Sequence, residues 1–197
     1  MWRRNGYHMT TATPMRQEAE TAAYDLLKST RGRDGLSRCE LPIDPFSIAD
    51  TLGLKVMRIP LEPDVSGMLA KYPGQDPEVY VNVTDSEVRQ RFSCAHEIGH
   101  FIKRGSSPGS KDEEWGYIDR RGPSAGRGTS PDEIYANQFA AALLMPEERI
   151  KTLEDEGMSP VSMALAFNVS LEAMTHRIDN IRSSPHVAGT TPDVVSE

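Results

Sequence analysis

The stretch Arg89–Lys103, RQRFSCAHEIGHFIK, constrains this chain more than any other. His96 and His100 stand four residues apart, and on a helix that spacing puts two side chains on one face with β-carbons about 5–6 Å apart. Two imidazoles so placed can converge on one metal ion at about 2.0–2.1 Å. Glu97 is turned about 100° around the axis, which makes it a poor ligand but lets it reach a water held by the ion. A catalytic zinc takes three protein ligands and keeps one position for water, so a second element must lie against this helix and complete the site. With five histidines and sixteen glutamates in 197 residues, an accidental H-E-x-x-H is expected about once in a hundred such sequences. Gly99 weakens the bland alternative of two solvated histidines. It costs a helix about 1 kcal/mol relative to alanine, which implies that something packs closely there.

The surrounding pattern places the motif. Thr84-Asp85-Ser86-Glu87 has the form of a capping box, and Val88, Phe92, Ala95, Gly99 and Ile102 follow helical spacing to Gly105. Upstream, Leu54–Ile59, Ser66–Lys71 and Glu78–Val83 read as three strands, the last two forming a hairpin across YPGQDP. Helices are expected from Thr13-Pro14 with an apolar face of Ala19, Ala22, Ala23, Leu26 and Leu27, and from Asp44-Pro45 to Gly53. Residues 104–130 are rich in Gly, Ser and Pro and read mainly as loop, with WGYID as the one structured-looking segment. Helices then follow from Ser130-Pro131, through PEERIKTLEDE, and in a helix-turn-helix-like hairpin over SPVSMALAFNVSLEAMTHRIDNI. This sums to an α+β chain: a tail at 1–13, a main domain at 14–157, a helical hairpin at 158–182 packed on it, and a tail at 183–197.

The third ligand is harder to place. An extended H-E-x-x-H-x-x-G-x-x-H pattern is excluded, because Lys103 and Ser106 occupy the required glycine and histidine positions. His8 and His186 lie in the tails, which leaves His176 as the rival histidine. Glu133 is a candidate on the next helix, with Asn137 one turn later on the same face and able to hydrogen-bond a ligand, and Asp132 is a lesser one. Yet in Ser130-Pro131-Asp132-Glu133 the glutamate also completes a capping box, and spacing alone does not choose between ligand and cap.

RQRFSCAHEIGHF followed by EIYANQFAAALLMP resembles the ImmA/IrrE family of zinc-dependent endopeptidases, as do the flanking LPIDPFSIADTLGLKV, DVSGML and YVNV, over about residues 17–182. The resemblance implies a zincin-like domain, with a small antiparallel sheet of about three strands against the HExxH helix and a helical C-terminal part. It further implies Zn2+ on His96, His100 and Glu133, with Glu97 as catalytic base. The implied partner is proteinaceous: a helix-turn-helix repressor of the XRE type, or an antitoxin-like protein in a toxin–antitoxin or stress-response system. No room follows the hairpin for the sensor-like domain of longer members.

Composition narrows the rest. A net charge of −7 offers no general attraction to nucleic acid or anionic membranes. Residues 147–182 hold seven acids against four bases, which argues against DNA readout by the hairpin. No segment has the length or apolarity of a membrane span or secretory signal. Two cysteines, Cys39 and Cys94, make no disulfide framework and suit a reducing cytoplasm, with Cys94 read as a buried apolar residue. Tyr117, Tyr135, His176 and Arg177 are all chemically able to stabilise an oxyanion. Two functions compete: a narrow-specificity regulatory endopeptidase, and a catalytically weak partner-binding regulator in which zinc is structural. Because ligation needs neutral imidazoles, zinc content and activity are expected to fall together below about pH 6. Metal analysis across a pH series checks this, and zinc retained to about pH 5 would count against it.

Overall fold

The computed structural model describes residues 12–31, 39–105, 114–120 and 130–183. The expected tails lie almost wholly outside these residues, as do His8, His186 and most of 104–130. Among the described residues no helix is long and apolar enough to cross a membrane.

The chain opens with α1 (Ala12–Arg31), which begins two residues inside the segment expected as a tail, and α2 (Pro45–Thr51). Asp44 caps α2 by accepting from the Phe46 N–H at 3.0 Å, ahead of a proline at the first helical position. The strands β1 (Lys55–Ile59), β2 (Val65–Lys71) and β3 (Glu78–Asn82) follow, then α3 (Glu87–Gly105), which carries the motif, and β4 (Trp115–Arg120). Last come α4 (Pro131–Leu144), α5 (Glu147–Asp155), α6 (Pro160–Phe167) and α7 (Leu171–Ser183). The α+β class and helical C-terminal part agree with the sequence.

The sheet departs from expectation twice: it has four strands, in the order β1-β3-β2-β4, and β1 pairs with β3 in parallel. The parallel pair follows from the hairpin. β2 reverses direction after β1, β3 reverses again and slots between them, and so runs the way β1 does. β4 adds to the free edge of β2 in antiparallel register, with Leu69 opposite Tyr117.

The capping box expected at Thr84–Glu87 does not form. The α3 ladder starts with Gln90 N–H donating to the Ser86 carbonyl at 2.9 Å, whereas the Thr84 hydroxyl donates to Asn82 Oδ1 at 2.8 Å. Thr84 therefore closes the turn after β3 and leaves the start of α3 to Ser86.

α3 lies between the sheet and α4, and α1 packs on the far side of α4. Flanked in this way, α4 is apolar nearly all round, with Phe139, Leu143 and Leu144 fully buried. Cys94 and Ile98 join the same cluster from α3 and Phe167 from α6, and burial pushes the Cys94 thiol up, as an inert core residue should behave. α6 and α7 meet at Asn168 in left-handed backbone (φ 52°). Their turn is tied to α3 by buried Arg91, which donates to the carbonyls of Asn168 at 3.3 Å and Ile43 at 2.6 Å.

The contact between α3 and α4 passes through Gly99. A β-carbon there would sit 3.1 Å from the Ala136 Cα and 3.1 Å from Phe139 Cδ1, so the glycine admits the second helix. Gly99→Ala gains helix propensity of about 1 kcal/mol but overpacks this crossing by about 1–3 kcal/mol. We expect a net loss of stability, visible as a melting temperature lower by a few degrees; a variant that melted higher would show that the helices do not need this proximity.

Candidate metal centre

The crossing at Gly99 brings the start of α4 over the middle of α3, and the sequence candidates meet there. The Nε2 atoms of His96 and His100 face each other at 3.0 Å, and the Glu133 carboxylate lies 3.3 Å from the first and 3.2 Å from the second. All three ligand atoms fall within 4.8 Å of one another. Donors about 2.0–2.1 Å from a tetrahedral ion are separated by roughly 3.4 Å, so this triangle has the dimensions of a zinc site. Asn137, one turn beyond Glu133, presents Oδ1 at 3.1 Å from His96 Nδ1. An amide oxygen can only accept, so the His96 proton sits on Nδ1 and the Nε2 lone pair is left toward the triangle, as ligation requires.

The competition between ligand and cap at Glu133 dissolves in the geometry. Ser130 Oγ accepts from the Glu133 backbone N–H at 3.2 Å, so half of the capping box forms, while the glutamate side chain turns away to the histidines. The backbone cap and the side-chain contact with the histidines therefore coexist in one residue.

Glu97 sits beside the triangle, fully buried against β2, with Gly67 opposite: a β-carbon there would approach Glu97 Oε1 to 3.0 Å. Neither carboxylate oxygen has a hydrogen-bond partner among the described residues. Burial first, then the charges of Asp119 and Glu133, push its pKa well above the ordinary value. An unpartnered buried carboxyl is costly and rare, and its presence next to three converging ligand atoms fits a cation that the carboxylate would balance.

The third side of the centre is β4, whose residues alternate between the centre and solvent. Tyr117 stacks on His100 with ring centroids 4.3 Å apart and planes 11° from parallel. Asp119 accepts from Arg89 Nη2 at 3.0 Å and from the Ser93 hydroxyl at 3.4 Å. WGYID is legible in the sequence as a structured segment, with Tyr117 as one of four oxyanion candidates, but its place beside the centre is not. The signal was the two-residue period of Trp115, Tyr117 and Asp119, diluted by the Gly- and Ser-rich stretches around it.

The other candidates lie elsewhere. Asp132 pairs with Lys103 Nζ at 3.1 Å, and His176 is 74% exposed on α7, with Glu172 at 4.0 Å as its neighbour. Tyr135 is buried and stacked on Phe139, with its hydroxyl pKa pushed up to about 12. Arg177 is buried and donates to Glu20 and to the Met145 carbonyl. Of the four groups able to stabilise an oxyanion, Tyr117 alone touches a residue of the triangle.

A family model described as the IrrE N-terminal-like domain, a peptidase family, matches residues 49–179. No curated protein matches the chain. Among solved structures, a Mycobacterium tuberculosis transcriptional regulator is similar with a TM-score of 0.50 and 17% identity, over 86% of this chain and 52% of the other. At that identity the likeness concerns the fold alone, and this chain spans about half the length of that structure.

Glu97 gives a test of the electrostatics that needs no substrate. In metal-free protein its folded pKa lies above its unfolded value near 4.3, so its contribution to stability is full below about pH 4.3 and is lost as pH rises through the folded value. Glu97→Gln removes that loss. In chelator, the variant should melt several degrees above the parent at pH 7, at about 2–4 °C per kcal/mol, with the gap closing toward pH 4. Equal melting at both pH values would mean that the carboxyl carries no burial penalty.

Proposed function

Since the chain belongs to the peptidase family of IrrE N-terminal-like domains, we propose that it is a zinc-dependent endopeptidase that cuts one protein partner to change transcription. The observation that carries this reading is the convergence of His96, His100 and Glu133 beside a buried, unpartnered Glu97. In this reading the first three hold Zn2+ and Asn137 fixes the His96 tautomer. The ion supplies Lewis acidity, polarising a carbonyl and bringing the pKa of water toward about 7. Glu97 takes a proton at its carboxylate and returns it to the departing amine, and its dry surroundings make both transfers responsive to the charge beside it. Tyr117, flat against His100, restrains the ring that carries one ligand nitrogen.

The partner we propose is a helix-turn-helix repressor of the XRE type or an antitoxin-like protein. The charge of residues 147–182 supports a protein rather than a DNA partner, because seven acids and four bases form no phosphate-tracking surface.

His100→Ala and Glu133→Ala should each lose zinc, whereas Glu97→Gln should keep zinc and fold while slowing cleavage of a helix-turn-helix protein encoded beside the gene by about 10²–10⁴-fold. Metal analysis and gel-resolved cleavage separate the two effects. If Glu97→Gln relieved repression as fully as the parent, hydrolysis would not be the function, and a partner-binding regulator with structural zinc would take its place.

A further inference from the structure

Next to the metal centre, a groove of about 470 Å³ lies between α3, α4 and α7. The side-chain ladders that build the centre lead directly into it. On α3, Phe92 lies one turn before His96, with ring centroids 6.3 Å apart, and Val88 one turn before that. On α4 the i, i+4 series runs from Glu133 through Asn137 to Ala141 and Met145, the last three of which line the groove. Ala173 of α7 closes it from the far side. Asn137 and Phe92 therefore join the two, each touching His96 on one side and lining the groove on the other.

We propose that this groove receives the apolar side chains of the polypeptide being cut, within three residues of the scissile bond, and that α7 thereby sets specificity. The inference rests on the endopeptidase reading and adds to it the class of sequence cleaved. Distance supports it: one helical turn advances about 5.4 Å, and an extended peptide advances about 3.3–3.6 Å per residue, so the span from Phe92 to Val88 lies one to three residues from the centre. Chemistry supports it as well. The floor is apolar, and both guanidinium groups in the walls are already engaged, Arg89 by Asp119 and Ser66, Arg177 by Glu20 and a carbonyl. With both guanidinium groups occupied, the groove selects mainly by apolar area.

The test uses peptide hydroxamates, whose chelating end is anchored at zinc, carrying glycine, leucine or phenylalanine at each of the first three positions from that end. Binding to zinc-loaded Glu97→Gln protein is measured by calorimetry, so turnover is not needed. Leucine or phenylalanine at one or more positions should raise affinity about tenfold or more over the all-glycine compound. Ala173→Phe, combined with Glu97→Gln and checked for zinc content, should bind the leucine compound no better than the all-glycine one. An equal affinity across the series, or a preference that survives Ala173→Phe, overturns the inference while leaving the metal centre standing. Failure of the all-glycine compound to bind zinc-treated protein removes the endopeptidase reading, and the groove assignment with it.

Discussion

The close crossing of α3 and α4 is the constraint on which the rest depends. Two histidines on a helix define only one side of a metal site, and the missing ligand must arrive on a second helix held at a fixed distance. Gly99 sets that distance by leaving the space in which Ala136 and Phe139 sit. Ser130 starts α4 at the position that delivers Glu133 over the imidazoles. The apolar character of α4 then anchors it between α1 and α3.

The charge balance at the centre follows from burial. His96, His100 and Glu97 are all shielded from water, and the charges of two further acids, Asp119 and Glu133, act on the Glu97 carboxyl. Such a cluster is poorly balanced by protein groups alone. Arg89 offsets part of it through Asp119, at the cost of tying the edge strand to the helix. A divalent cation would balance the remainder, because it lowers the energy of each nearby carboxylate at once.

Much of this was legible in the sequence, for physical reasons that differ from residue to residue. The histidine pair and Gly99 were readable because helical spacing is local and regular. Asp44 and Ser130 were readable as caps because a cap needs only a short polar side chain before a helix. Thr84 misled because the same side chain can satisfy a turn, and the neighbour that captured it, Asn82, ends a strand. Tyr117 stayed one of four oxyanion candidates and Asp119 had no role, because their places depend on which strand lies beside β2, a long-range pairing without a local signature. The parallel β1–β3 pair was hidden for the same reason.

The tie made by Arg91 has a mechanical meaning. Its guanidinium is held by main-chain carbonyls from the turn between α6 and α7 and from the segment before α2, with no carboxylate among these contacts. Two of these three carbonyls stay in reach only while the turn stays in place, so the hairpin acts as a strut against α3. Without the hairpin, Arg91 would keep only the Ile43 carbonyl of these three partners, leaving a buried cation partly unsatisfied.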